Sequence, residues 1–481
     1  MRQQVSRLTT ALENESINNG KVSAPAPTTS TSEVSAVPSF STSSHSRLQG
    51  EDSASVTDRV QPTSTTTVPL QTKKSGGSST SASSLFNKTT SRLVSSLRPS
   101  SVSGRLVRTY SSHRDGVWDV TAVHRNGTLI VASASADYAV RIFNVDCQRP
   151  VVAYSGHRGS ANSVRFYPSP NRDLVLSAAG DSTVHLWEFP VSNVVADAHK
   201  VPNSTTGAAS SDDFELSDEE QQTNGAPFDA STTANDPSLA AASVVRIPRQ
   251  SYMGHQGAVV AADFLLGGQH IVSGGWDRLA HVFSTETGQL LATLSGHDAE
   301  LTSVAGHPSP GRPMVLTASK DASFRMWDLR DRTPQLVAAV QGHSGAVNAA
   351  VFAPGDRIVS GGDDRAVRIW DLRQLSSPLA VAKPGSAVNR LSVHWTAGVI
   401  GAPCDNSHVY IYDATNCNKL GRLPRRSGGH RRIVSAVCWV EQQHPSTNSS
   451  TPYPNFFTAG FDHRLIGWNV SISGPGRNAA V

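Results

Sequence analysis

A chain of 481 residues with 17 % charged side chains and a formal net charge of +4 has room for one large repeat fold. That charge creates no strong field that would draw it to nucleic acid or to a membrane surface. The hydrophobic fraction of 38 % is low for a fully folded chain, so a sizeable part is expected to remain unfolded. No apolar run approaches the roughly 18 residues of a transmembrane helix, so no membrane span is expected. The start, MRQQVSRLTT, has neither the apolar core nor the cleavage pattern of a signal peptide. Cys147, Cys404, Cys417 and Cys438 show no CxxC spacing, which points to free thiols in a reducing compartment and to a soluble, intracellular chain.

Residues 1–104 are dominated by Ser, Thr, Pro and small side chains. They hold too little apolar surface to offset chain entropy and are expected to form a disordered arm. Met1, Val5, Leu8 and Leu12 are spaced like the last turns of a heptad, which leaves a coiled-coil remnant and chance both open. Leu85-Phe86, Leu93-Val94 and Leu97 could form one face of a short helix. No acidic residue occurs from Arg59 to Arg114, so the arm is basic. A partner-docking or lipid-surface helix and a solvated linker both fit it.

From His113 onward the chain repeats. GHSGAVNAAVFAPGDRIVSGGDDRAVRIWD (Gly342–Asp371) holds three alternating apolar runs, Ala346–Phe352, Arg357–Ser360 and Ala366–Trp370, separated by turn residues, and reads as an antiparallel meander. Its His343, Ser360, Asp364 and Trp370 recur at matched offsets. The other five sets are His113, Ser133, Asp137 and Phe143; His157, Ser177, Asp181 and Trp187; His255, Ser273, Asp277 and Phe283; His297, Thr317, Asp321 and Trp327; and His430, Thr458, Asp462 and Trp468. Gly-His openings and Trp-Asp closings at about 40–45 residues resemble the WD-repeat family. The resemblance implies an all-β, seven-bladed WD40 β-propeller whose four polar groups form one hydrogen-bonded network per blade.

A seventh unit, Gly385 to Asp413, keeps the strand pattern but loses the whole network. Ala402 stands for the hydroxyl, Asn406 for the Asp and Tyr412 for the Trp. Losing all members together avoids orphaning one of them, so blade six is expected to be the loosest. The last unit stops after its third strand, while Arg105–Tyr110 precedes the first unit unassigned. Pairing the two would close the ring. The propeller is thus expected over 105–470, with a tail at 471–481. A disordered insertion at about 191–243 in blade two carries the acidic SDDFELSDEE, and a small one lies at about 441–454 in blade seven. Ser217, followed by Asp-Glu-Glu, suits an acid-directed kinase; a solubilising loop is the alternative. Arm, insertions and tail all meet the face opposite the His loops.

Six matched Ser–His–Asp sets argue for structure, since a hydrolase needs one set in one pocket. No P-loop and no zinc spacing occurs, so no enzyme activity, no small-molecule substrate, no cofactor and no metal are expected. The bare His-loop face is the candidate surface. The residues before each blade's Asp point there: Ala136, Gly180, Trp276, Lys320, Asp363, Asp405 and Phe461. Trp118, Asn162, Thr302, Asn348, Asn389 and Ser435 line its inner mouth. Partner binding is assigned to Trp118, Trp276, Lys320, Asp363 and Phe461; covering neighbouring blades is the alternative role for the aromatics. Consecutive blades end in Trp327-Asp-Leu-Arg330 and Trp370-Asp-Leu-Arg373. This looks like the motif of cullin-4 RING ubiquitin ligase substrate receptors, where Arg330 and Arg373 would face the ligase adaptor. The basic arm lacks aromatic interleaving, so nucleic-acid binding is not expected.

HRDGVWDV, GHRGSANSVRFYPS, GHDAELTSV and FTAGFDHRLIGWN further resemble one branch of the WD-repeat family, which also has an acidic insertion in blade two and an arm like SLFNKTTSRLVSSL. That resemblance implies a non-enzymatic scaffold in cytoplasm and nucleus. Its partners would be other proteins, among them sorting adaptors that recognise acidic clusters.

Overall fold

The structure, a computed structural model, describes residues 101–190, 242–331, 333–441, 453–473 and 479–480. The heptad-like start, the helix expected around Leu85–Leu97, the acidic cluster with Ser217, and most of the small insertion lie outside the described residues.

Seven sheets form a β-propeller, each blade built on four antiparallel strands. Blade one comprises Val117–Arg125, Thr128–Ser135, Val140–Asn144 and Val152–Tyr154. Blade five comprises Val347–Ala353, Arg357–Gly362, Val367–Asp371 and a short outer strand, Ala380–Ala382. The sequence pattern gave three strands per unit. The fourth escapes it because outer strands are half exposed, as Ala380–Ala382 is, or only three residues long, as the buried Val152–Tyr154 is. The apolar core lies between neighbouring blades: the Tyr154 ring of blade one stacks on Trp187 of blade two at 4.5 Å between centroids.

Closure is by strand overlap. Ser101–Tyr110 pairs antiparallel with Leu465–Ser473 and is the outer strand of blade seven. It begins four residues before the expected Arg105 boundary, and its partner runs past the expected end of the third strand. Ser101–Gly104 offers Val102 as its one apolar side chain, packed against the blade-seven core, too little to mark a strand in the sequence. Tyr110 is fully buried, packs on Phe143 and donates its hydroxyl to the Val145 carbonyl at 3.0 Å. The closing strand is thereby tied to blade one.

The insertion in blade two ends in a way its composition does not announce. The chain leaves after Val184–Glu188 and returns as Ser243–Val245, which pairs in parallel with Val152–Tyr154 on the edge of blade one. Only then does Gln250–Tyr252 complete blade two. The returning segment shields an otherwise open strand edge.

Blade six has the shortest inner strand of the seven, Ser392–His394, extended by single bridges from Val388 to Cys404 and from Arg390 to Ala436 of blade seven. Buried Ala402, Cys404, Tyr410, Tyr412 and Cys417 pack in one apolar cluster with side chains of blade five. We expect hydrogen exchange at Ser392–His394 to be faster than at any other inner strand. Protection equal to that of Val347–Ala353 would contradict this.

Candidate functional site: the central depression of the His-loop face

Each of the six polar sets forms a continuous chain. In blade five the Trp370 indole donates to Ser360 Oγ at 2.8 Å, and His343 Nε2 lies 2.7 Å from that oxygen. His343 Nδ1 is 2.9 Å from Asp364. The carboxylate at Nδ1 fixes the tautomer, so Ser360 donates to Nε2 and Nδ1–H donates to Asp364. Blades two, four and seven repeat the chain through Trp187, Trp327 and Trp468. In blades one and three the fourth position holds Phe143 or Phe283, and the hydroxyl–His–Asp part remains: Ser133–His113–Asp137 and Ser273–His255–Asp277. Blades two, four and seven carry the same part as Ser177–His157–Asp181, Thr317–His297–Asp321 and Thr458–His430–Asp462. The hydroxyls are fully buried, so no substrate could approach them. Burial lowers the pKa of His113, His297 and His343. For Asp137, burial alone would raise the pKa, but His113, Arg141 and the Arg114 N–H outweigh it and hold the carboxyl below its ordinary range.

The Asp of each network also shapes the turn above it. In all seven blades the next residue has a left-handed backbone: Tyr138, Ser182, Arg278, Ala322, Arg365, Ser407 and His463, with φ between 61° and 68°. The Asp side chain accepts the N–H two residues on, as Asp321 does from Ser323 at 2.9 Å, and so stabilises the turn. Asn406 of blade six keeps this bond to His408 although its His partner is gone. A non-glycine residue there carries strain of about 1–2 kcal/mol. Ala322→Gly is therefore expected to stabilise the protein by up to about 1 kcal/mol, measurable as a higher urea midpoint.

These turns place the preceding residue over the channel mouth. A second sevenfold feature supplies the inner ring. In six blades the inner strand has a bulge just after its first residue, as between Val117 and Asp119 or Val347 and Ala349. The extra residue is aimed inward. Trp118, Asn162, Val260, Thr302, Asn348 and Ser435 occupy the bulges, and Asn389 takes the equivalent place in blade six. All seven line one depression of about 340 Å³. Five of them donate to the first inner-strand carbonyl of the next blade: Asn162 to Val259, Thr302 to Val347, Asn348 to Val388, Asn389 to Val434 and Ser435 to Val117. Trp118 and Val260 break this ring of inter-blade bonds, and the Trp118 indole nitrogen is buried without a partner.

Trp276, Lys320, Asp363, Asp405 and Phe461 complete the rim, while Ala136 and Gly180 stay outside it. All five residues assigned to partner binding from the sequence therefore meet in one depression. Trp118 meets Phe461 edge to face at 4.7 Å, and Lys320 sits over the Trp276 ring at 5.1 Å. Both readings of the aromatics are thus visible: each packs on a neighbour and each faces the opening.

The floor was missed by the sequence reading. Arg390, from degenerate blade six, spans the channel to Asp119 of blade one at 3.0 Å. It also donates to the carbonyls of Asn162 in blade two and Val260 in blade three. Arg165 pairs with the same Asp119 at 2.7 Å, and Ser163 donates to it at 2.9 Å. Burial would raise the pKa of Asp119, but the two guanidiniums lower it on balance. Asp119, Ser163 and Arg390 each follow an inner-ring residue, but the type of side chain at that place changes from repeat to repeat, so the pattern does not say which of them meet.

Arg330 and Arg373 lie on the opposite rim and are exposed. Arg330 folds back onto Asp328 of its own Trp-Asp pair at 2.8 Å, and Arg373 shares Asp356 with Arg312. His255, Asp277 and His281 offer ligand atoms within 4.8 Å of one another. His255, however, already spends both ring nitrogens on Asp277 and Ser273, so a metal there would have to dismantle the blade's own network. The four cysteines are free, and burial pushes the Cys404 and Cys438 thiols up to about 12. Among the described residues no helix is long and apolar enough to cross a membrane.

Two buried histidines give the propeller an acid-sensitive range. Burial, helped by a neighbouring imidazole, lowers His185 and His281 to about 4. Folded, they stay neutral, while the unfolded chain takes up protons below about pH 6.5. Their contribution is therefore intact above that pH and is lost as pH falls towards 4. Thermal melts should show the loss between pH 6.5 and 4.5, with a shallower slope for the H185Q/H281Q variant.

Comparison with known proteins agrees with this architecture. The WD domain, G-beta repeat model matches residues 104–144, 148–188, 246–284, 288–328 and 334–371, which leaves degenerate blade six and interrupted blade seven unmatched. WD repeat-containing protein 37 of Mus musculus is 38 % identical over 369 residues, covering 76 % of this chain and 69 % of that protein. The Homo sapiens protein is 37 % identical over the same shares. Pre-mRNA-processing factor 19 of Mus musculus is 30 % identical over 161 residues, 33 % of this chain and 31 % of that protein. With the seven blades, their networks and this identity in hand, the chain belongs to the WD-repeat family, in the group of WD repeat-containing protein 37.

Proposed function

We propose that this protein is a non-catalytic scaffold that brings partner proteins together, with the central depression of the His-loop face as a principal docking site. One observation carries the reading. Trp118, Trp276 and Phe461 converge on a single concave site of about 340 Å³, where aromatic side chains concentrate binding energy in other protein interfaces. The ring of inter-blade bonds is interrupted at Trp118, so that position serves something other than blade-to-blade bonding. The free thiols and the family favour work in the cytoplasm and nucleus, with the basic arm and acidic insertion as tethers for further partners, including adaptors that read acidic clusters.

The test is co-purification from cells with the Trp276→Ala/Phe461→Ala variant beside the parent. Loss of a defined set of partners with an unchanged melting temperature supports the docking site; an unchanged set removes it. The ubiquitin-ligase reading has less support, because Arg330 and Arg373 are each engaged by a carboxylate of this chain. The Arg330→Ala/Arg373→Ala variant is expected to keep the same partners as the parent. A cullin-4 adaptor found with the parent and absent from the variant would reverse that conclusion.

A further inference from the structure

We propose that the central depression receives one cationic side chain, arginine or lysine, presented on an extended segment of a partner protein. The head group would sit between Asp363 and Asp405, with its stem against the aromatic wall. This rests on the docking reading above and specifies its ligand.

Asp363 and Asp405 project from the same turn position in adjacent blades five and six, and both line the depression. Each is held by a neutral amide of the inner ring: Asn348 donates to Asp363 at 2.8 Å and Asn389 to Asp405 at 3.0 Å. The amides fix the carboxylates but leave their charge uncompensated. Among the described residues, neither carboxylate has an ion pair within 4 Å.

The depression's own cations are committed elsewhere. Lys320 lies over Trp276 and 3.9 Å from Glu300. Arg390 is held at the floor by Asp119 and two carbonyls. The two acids also act on each other: burial raises the pKa of Asp405, and the charge of Asp363 adds to it. A guest cation would relieve that repulsion in a partly desolvated site. A phosphate or nucleic-acid backbone would meet it instead.

Size and shape narrow the guest further. About 340 Å³ is at the small end of ligand pockets, and a helix of about 10 Å diameter would not enter. One long side chain from an extended segment would fit. Rings on the wall suit the apolar stem and the cation of such a residue alike.

The experiment is selection of a random nonapeptide display library on the purified full-length chain, followed by titration of the enriched peptides by isothermal calorimetry. The expected result is enrichment of sequences sharing one arginine or lysine at a fixed position. Affinity should fall at least tenfold when that residue becomes citrulline or glutamine. The same loss should occur with the Asp363→Asn/Asp405→Asn variant, whose side chains keep their shape and whose melting temperature is expected to match the parent's.

Enrichment without a shared cation, affinity unaffected by the Asn variant, or no enrichment at all would overturn the proposal. Enriched sequences matching the chain's own basic stretch from Arg59 to Arg114 would replace the partner with an internal occupant and overturn that part. If the Asn variant binds as before while Trp276→Ala/Phe461→Ala loses its cellular partners, the docking site stands and only the cationic guest falls.

Discussion

Asp119→Ala is expected to be the most damaging single substitution in the channel, destabilising the propeller by about 3–5 kcal/mol, as removal of one partner from a buried ion cluster does elsewhere. Asp119 is 2 % exposed and takes bonds from Arg165, Arg390 and Ser163. Without it, two guanidiniums remain at the floor. Asp263, 3.9 Å from Arg165, is the only other carboxylate paired with either of them among the described residues.

Arg390→Met should cost less. Arg165 still neutralises Asp119, and the methionine stem retains part of the packing. Urea denaturation of the two single variants and the double variant would measure the coupling. A double variant less stable than Asp119→Ala by the full cost of Arg390→Met would show the two residues to be independent. That would remove the Arg390–Asp119 pair as a tie between blades six and one, leaving only the bonds of Arg390 to the Asn162 and Val260 carbonyls.

The second large effect is expected at the seam. Tyr110→Ala should cost about 3–5 kcal/mol, the range for truncating a fully buried aromatic. Tyr110→Phe should cost only about 0.5–1.5 kcal/mol, because it removes the bond to the Val145 carbonyl and keeps the packing on Phe143. Loss at this position acts on closure as well as on a core: the ring of Tyr110 fixes the end of the only strand that joins the first described residues to blade seven. Limited proteolysis should then cut Tyr110→Ala, and not Tyr110→Phe, within Ser101–Tyr110. Equal resistance of both variants would mean that the ladder with Leu465–Ser473 holds the seam unaided.

The repeat, the number of blades, the closing strand and the membership of each polar network were legible in the order of residues alone. All of these are local or periodic: a hydroxyl four residues before an Asp and an aromatic six residues after it recur wherever a blade must satisfy the same buried groups. The rim residues Trp276, Lys320, Asp363 and Phe461 were legible for the same reason, since each precedes the Asp that sets its turn.

What joins one repeat to another emerges only on folding. The bulge that aims Val260 inward is a register shift, which alternation of apolar residues does not mark, so this member of the inner ring was missed while Trp118 was not. The parallel strand Ser243–Val245 is three residues long and has no pattern of its own. The cluster of Asp119, Arg165, Asp263 and Arg390 gathers charges from blades one, two, three and six, and the repeat spacing does not say which of these positions carry charge or meet. Closing the ring brings them together, and their long side chains then meet across the channel.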